Sequence, residues 1–263
     1  DQERELFLAT VGGMGLTGHI LEVTVRMQRV PSPWIVQRSE RIPNLDAFLA
    51  GLERAAEEWP YTVGWIDCLA QGASMGRGNL ISGRWATPEE APADPPKPGR
   101  RFQLSFDYPS WVLNRASIAA FNELKYRSQL RASSDSVVDP EGFFYPLDRI
   151  RHWNRLYGTR GFTQYQCVLP REAGPQAVHR LMSTLTQRGG ASFLAVIKDF
   201  GRDGAGMISF PRPGITLALD IPLRDDTQAL VDALNQQVIA DGGRVYLTKD
   251  SLTRADDFRR MDG

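Results

Sequence analysis

Phe162-Thr163-Gln164-Tyr165-Gln166-Cys167-Val168-Leu169 reads as a β-strand, and after a polar break residues 175–188 read as a helix that Gly189-Gly190 ends. The two element types then alternate. Residues 193–199 and 215–221 predict strands, 227–240 a helix stopped by Gly242-Gly243, and 244–248 a final strand. Working back toward the N-terminus, 18–29 alternates as a strand until Val30-Pro31-Ser32-Pro33 stops it. Strands are expected at 34–41, 61–69 and 78–86. Asn44 caps a helix running to about residue 59, with Leu45, Phe48, Leu49 and Leu52 on one face. Residues 114–129 predict another helix, 133–142 a polar loop, and the stretch after Asp148 a short helix carrying Trp153 and Leu156. Helices mixed with hairpin-like strands give an α+β class: a mostly antiparallel sheet, flanked by helices and covered on one face.

Composition narrows the function classes. With 263 residues, 42% hydrophobic and 24% charged, the chain is an ordinary globular sequence. Lys plus Arg equals Asp plus Glu at 31 each, so no overall field favours nucleic acid. Arg-rich 149–160 alternates with aromatics and acids as a solvated helix face does. Cys68 and Cys167 sit far apart in apolar runs, with neither metal-like spacing nor a disulfide framework, which fits a reducing cytoplasm. No metal site is expected. His19, His152 and His179 lack any triad or metal arrangement. No apolar run approaches the roughly 20 residues of a bilayer span, and the N-terminus does not read as a signal peptide. Residues 87–100, with Pro95-Pro96-Lys97-Pro98-Gly99, predict an exposed loop.

Near the start stands Glu5-Leu6-Phe7-Leu8-Ala9-Thr10-Val11-Gly12-Gly13-Met14-Gly15-Leu16-Thr17-Gly18. Such a turn leaves backbone N–H groups open to a ligand, or is simply a tight turn before a strand. It is no Walker loop, lacking Gly-Lys-Ser/Thr, and no Rossmann fingerprint, since a strand-like run follows where a helix is needed. Together with Phe143-Phe144-Tyr145-Pro146-Leu147-Asp148, Trp153-Asn154-Arg155-Leu156-Tyr157-Gly158, Gly161-Phe162-Thr163-Gln164-Tyr165-Gln166, Ser209-Phe210-Pro211-Arg212-Pro213-Gly214 and Gly242-Gly243-Arg244-Val245-Tyr246-Leu247-Thr248-Lys249-Asp250-Ser251, in that order, it resembles the FAD-linked oxidases of the vanillyl-alcohol-oxidase superfamily. The resemblance runs almost end to end, weakest across 30–140. It implies that residues 1–30 are the tail of a FAD-binding domain, 31–248 a substrate-binding domain, and 249–263 the start of a truncated C-terminal segment.

Each candidate residue has a plain structural reading beside the functional one. Lys249 ends a predicted strand and would ordinarily be solvated; the resemblance places it beside the flavin ring, as the catalytic cation. Gln164 and Gln166 flank Tyr165, so both amides share one strand face, suited to sugar hydroxyls or simply to solvent. The family uses the position of Gln166. Lys198 follows an apolar run, as a surface charge does; by resemblance it points into the substrate cavity. Trp65, Phe144 and Phe200 read as core aromatics, and by resemblance as cavity positions together with Thr216 and Ala218. Tyr246, Ile20, Gly15 and Gly18 match cofactor-side positions, with strand filling, core packing and turn formation as their plain roles. Two positions depart from the pattern: Ala218 replaces a cysteine and Phe144 a tyrosine, making the cavity less polar.

The resemblance therefore implies a FAD-dependent oxidoreductase acting on CH–OH groups, with FAD bound non-covalently and mainly by a domain preceding this chain. The chain alone is expected to be inactive. A His able to act as base would lie in that preceding domain. The implied substrate is a lipid-linked or small sugar, a polyprenyl-phosphate pentose first. A partner reductase would complete an epimerisation, and a lipid-linked substrate would bring peripheral membrane contact to a cytoplasmic protein. Another sugar-alcohol or aldonolactone oxidase is the alternative within the superfamily. A non-catalytic binding module derived from such an enzyme is the alternative outside it.

Overall fold

Two rows of side chains, one on each side of a strand, organise the molecule. In a computed structural model describing residues 3–97, 99–109, 111–190 and 192–262, the elements run α1 (Arg4–Thr10), β1 (Ile35–Ile42), α2 (Leu45–Glu58), β2 (Tyr61–Ile66), β3 (Gly78–Trp85), β4 (Phe102–Gln103), α3 (Arg115–Ser128), β5 (Ser133–Val138) and α4 (Pro140–Phe144). They continue through β6 (Ile150–Arg151), β7 (Phe162–Pro170), α5 (Gly174–Gln187), β8 (Ala195–Phe200), β9 (Gly214–Pro222), α6 (Thr227–Ala240), β10 (Arg244–Val245) and α7 (Ala255–Asp262). Eight strands form one antiparallel sheet in the order β10-β7-β9-β8-β2-β3-β1-β5, while β4 and β6 pair separately. The fold is α+β.

Tyr165, Cys167 and Leu169 of β7, Leu217, Leu219 and Ile221 of β9, and Ile197 of β8 point to one side. There they share a buried cluster with Phe48 and Leu52 of α2, Leu181 and Leu185 of α5, and Leu234 and Val238 of α6. Three helices thus cover this face, and Asn44 caps α2 by accepting from the Ala47 amide at 2.9 Å. Cys68 and Cys167 are buried, and burial pushes both thiols up to about 12.

The opposite face is covered in part as well, by α3. Asp67, after β2, accepts hydrogen bonds from Arg77 Nε at 3.1 Å, Asn122 Nδ2 at 2.8 Å and the Leu69 amide at 3.0 Å. Arg77 also pairs with Glu123 at 2.6 Å, and Asn79 of β3 donates to the Lys125 carbonyl at 3.0 Å. A buried ionic group is tolerated only when paired and hydrogen-bonded; here Arg77, just before β3, supplies the pairing charge, and α3 adds Asn122 and Glu123.

The structure corrects four local expectations. The alternating run 18–29 forms no strand. It is exposed along its length, because no strand of the described residues lies beside it to complete a ladder. Residues 133–142 are not a loop: 133–138 form β5, the sheet's edge, pairing with β1 over six residues, and its polar composition suits an edge exposed to water. The last strand shrinks to Arg244–Val245, since the Lys249 and Asp250 amides turn back to the Tyr246 carbonyl at 3.0 and 3.1 Å. The strongly charged α7 has no counterpart in the sequence reading. The 87–100 stretch carries no helix or strand among its described residues; Pro98 lies outside them. Among the described residues no helix is long and apolar enough to cross a membrane.

Replacing Asp67 by Ala removes the carboxylate that holds α3 to the sheet and leaves Asn122 unpartnered. We expect a loss of about 3 kcal/mol in urea unfolding, with faster amide exchange along α3 than along β7.

Candidate functional site

The residues of β7, β9 and β8 that point away from the helix layer include Gln164, Gln166, Thr216, Asp220 and Lys198, set among the apolar Val168, Ala218, Val196 and Phe200. Register fixes their neighbours: Gln166 lies opposite Ala218, which lies opposite Val196, which lies opposite Trp65. Gln164 lies opposite Asp220, and Lys198 opposite Thr216. Gln166 Nε2 donates to Thr216 Oγ1 at 3.0 Å, and Thr216 Oγ1 donates to the Cys167 carbonyl at 2.8 Å. Gln164 Nε2 donates to Asp220 Oδ1 at 2.9 Å. Gln166, Thr216 and Asp220 are all buried.

The turn after β10 docks on the β7 edge of the sheet. Tyr246 N donates to the Gln166 carbonyl at 2.8 Å, and the Thr163 and Ser251 hydroxyls meet at 2.6 Å. Asp250 caps the following turn through the Thr253 amide and hydroxyl, and Asn235 of α6 holds Thr253 Oγ1 at 3.0 Å. Lys249 belongs to this turn rather than to a strand end, and there its ammonium acts on both Asp220 and Lys198. Neither lysine forms an ion pair among the described residues. Burial, then the neighbouring Lys249, lowers the Lys198 pKa below its ordinary value. Two neighbouring ammoniums, neither in an ion pair among the described residues, suit an anion.

Asp220 was not singled out in the sequence, although a lone acid in the apolar run 215–222 is itself a signal. Its Oδ2 is buried with no partner, and so is the hydroxyl of Tyr157. Tyr157 stacks on Phe162 at 4.4 Å and on Phe193 at 5.3 Å; burial, and then the charge of Asp220, pushes its phenol pKa up. Burial raises the Asp220 carboxyl to about 6, against the opposing effects of Gln164 and Lys249. A carboxyl titrating there can hold or release a proton near neutrality.

The glycine-rich turn meets this site from one side. Gly12 and Gly15 adopt left-handed φ values of 69° and 77°. A Cβ on Gly206 would overlap the Val11 carbonyl, so the turn can seat against the loop before Ser209. Between them runs a cleft of about 400 Å³ lined by Gly12, Gly15, Ile20, Phe210 and Tyr246. Phe210 stacks on Tyr246 at 4.6 Å and meets Phe200 edge-on at 5.8 Å. Gly15, Ile20 and Tyr246 are thus brought together, while Gly18 does not line the cleft and is exposed. Phe144 also stands apart, in a cluster with Tyr61, Trp85 and Phe143 at 5.1, 6.0 and 4.9 Å. Among the described residues no three His, Cys, Asp or Glu side chains gather as metal ligands.

No family model matches the chain. It is 32% identical over 98% of its length to decaprenylphosphoryl-beta-D-ribose oxidase of Mycolicibacterium smegmatis, and spans 57% of that protein. It is 31% identical over 99% of its length to an uncharacterized protein in the mprA 5' region of Streptomyces coelicolor, and spans 77% of that one.

The Asp220 carboxyl has a consequence for stability. Its ordinary value is 3.8 and its folded value about 6. Between these the folded chain keeps a proton that the unfolded chain has released, so stability falls as pH rises through this window. Asp220→Asn keeps an acceptor for Gln164 without titrating. Its stability relative to wild type should climb from pH 4 to pH 7 by about 3 kcal/mol, measured from urea midpoints.

Proposed function

The chain belongs to the FAD-linked oxidases of the vanillyl-alcohol-oxidase superfamily, and from that premise we propose that it is the substrate-binding portion of a FAD-dependent oxidoreductase that oxidises a sugar hydroxyl. The substrate class is a polyprenyl-phosphate pentose. The observation that carries this reading is one sheet face gathering Gln164, Gln166, Lys198 and Asp220, with Lys249 in the adjoining turn near enough to act on the last two, beside Tyr246, which also lines the glycine cleft. The cleft suits the ring end of a flavin, offering an aromatic pair, Ile20 and open backbone at Gly12 and Gly15. FAD held there, chiefly by residues outside this chain, supplies an acceptor for hydride.

The chain's own residues do the rest. Gln164 and Gln166 supply neutral donors and acceptors, the chemistry that recognises hydroxyls without competing charge. Lys198 meets the phosphate as a point charge. Asp220, deprotonated above about pH 6, accepts the proton of the sugar hydroxyl as the carbinol is oxidised. The base then lies within this chain rather than in a preceding domain. Lys249 stabilises negative charge developing on the sugar oxygen. Oxidation leaves a carbonyl, and a partner reductase acting next on that carbonyl would complete an epimerisation. The substrate's lipid would bring the protein to a membrane surface.

Lys249→Ala in the flavin-loaded enzyme should slow anaerobic flavin reduction by about 10²–10³, roughly 2.7–4 kcal/mol of barrier. Gln166→Ala should weaken substrate binding by roughly 1–3 kcal/mol with a smaller effect on the rate at saturation. Single-turnover bleaching of the flavin absorbance separates the two. Reduction of the Lys249→Ala flavin at the parental rate would sink the proposal.

A further inference from the structure

Beyond the polar rows the same sheet face changes character. Over β8, β2, β3 and β1 it floors a cavity of about 700 Å³, walled by α3 and residues 142–156. Val63, Ile81 and Val196 form its floor, and Ile118, Phe121 and Leu147 its walls. The lining polar groups at its far rim are satisfied by one another: Gln37 donates to Ser39, and Gln129 to Ser39 and Ser134. The size is that of a ligand pocket, typically ~300–1,000 Å³.

Its position relative to Lys198 is set by the sheet. Val196 and Lys198 lie two residues apart on one strand face, about 7 Å at the usual rise. Trp65, opposite Val196, is one strand spacing further on, about 5 Å. A ligand lying along this face would therefore meet sugar-type donors, then Lys198, then a cavity whose floor and walls are mostly apolar. That is the order of groups in an amphiphile with a charged junction. We propose that the cavity holds the proximal hydrocarbon chain of a lipid-linked substrate whose phosphate sits at Lys198; this rests on the reading above of the polar face as a sugar-phosphate site. A hydrocarbon chain is favoured over a protein segment on chemical grounds. Apart from Asn79, whose Oδ1 is buried without a partner, the floor and walls offer the amides of a peptide few partners, whereas a chain of methylenes has none to satisfy. The cavity is also held open: the Asp67–Arg77–Glu123 network ties α3 above it.

The test uses this chain with butyl, octyl and dodecyl phosphate below their micelle concentrations, by calorimetry. Affinity should rise with chain length, by up to about fourfold per methylene, and level off once the cavity fills. The double variant Val63→Phe/Ile81→Phe should bind butyl phosphate as wild type does and lose the dependence on length. Because overpacking can destabilise a fold, a second measurement stands beside it. A diazirine-bearing dodecyl phosphate, crosslinked to the wild type and mapped by mass spectrometry, should mark peptides containing 61–66 or 115–128. Butyl phosphate binding with no gain for longer chains would overturn the cavity assignment and leave the polar site intact. Label confined to the exposed run 18–30 would overturn it as well. Equal binding of dodecyltrimethylammonium, with the label still in the cavity, would support the hydrocarbon site and overturn the phosphate reading of Lys198.

Discussion

Strand register is the constraint on which the rest depends. In β7, β8 and β9 every second residue enters the helix layer, apolar except for Thr163 and Asp199 near strand ends, and each residue between belongs to the other face. A slip by one residue would drive Gln164, Gln166, Thr216 and Asp220 into the packed core and expose Tyr165, Leu217 and Leu219. The cost of burying unpartnered amides and a carboxyl there would far exceed the few kcal/mol that separate folded from unfolded chains. The hydrophobic layer, which touches no ligand, is therefore what aligns the polar site.

Two kinds of polar burial serve different ends. The Asp67 carboxylate is answered on both oxygens, by Arg77 and by the Leu69 and Asn122 amides, and although Asn122 Oδ1 itself has no partner the result is a fixed wall. The Asp220 group is answered on one oxygen only, and the neighbouring Tyr157 hydroxyl is unanswered too. An unsatisfied buried donor or acceptor costs about 1–3 kcal/mol. A site that keeps two of them exchanges stability for groups ready to receive a ligand's hydroxyl.

The sequence showed most of the fold, because alternation and helix capping are local. Strands β1, β2, β3, β7, β8 and β9 follow apolar periodicity, and the ends of α6 coincide with its expected limits. Where the reading failed, the missing information was non-local. Residues 18–29 alternate like a strand, but a strand also needs a neighbour. Residues 133–138 look like a loop, but β1 offers them an open edge. At the site, parity along β7 put Gln164 and Gln166 on one face, whereas nothing in residue spacing joins Gly15 to Tyr246 across the length of the chain. Phe144 and Trp65 share the label of cavity aromatics in sequence, and only tertiary packing sends one to the rim cluster and the other to the junction of polar and apolar halves.

The extended run 19–30 carries Ile20, Leu21, Val23, Val25 and Met27 in water, with Leu21 97% exposed. Unpaired backbone combined with alternating apolar side chains is a template for intermolecular β-pairing. Glu22, Arg26 and Arg29 are the charges that oppose it, and between copies arranged antiparallel they can attract as well as repel. Colloidal behaviour of the isolated polypeptide is thus governed by a dozen residues lying outside its core. Its solubility should respond to concentration and ionic strength while the folded core stays unchanged.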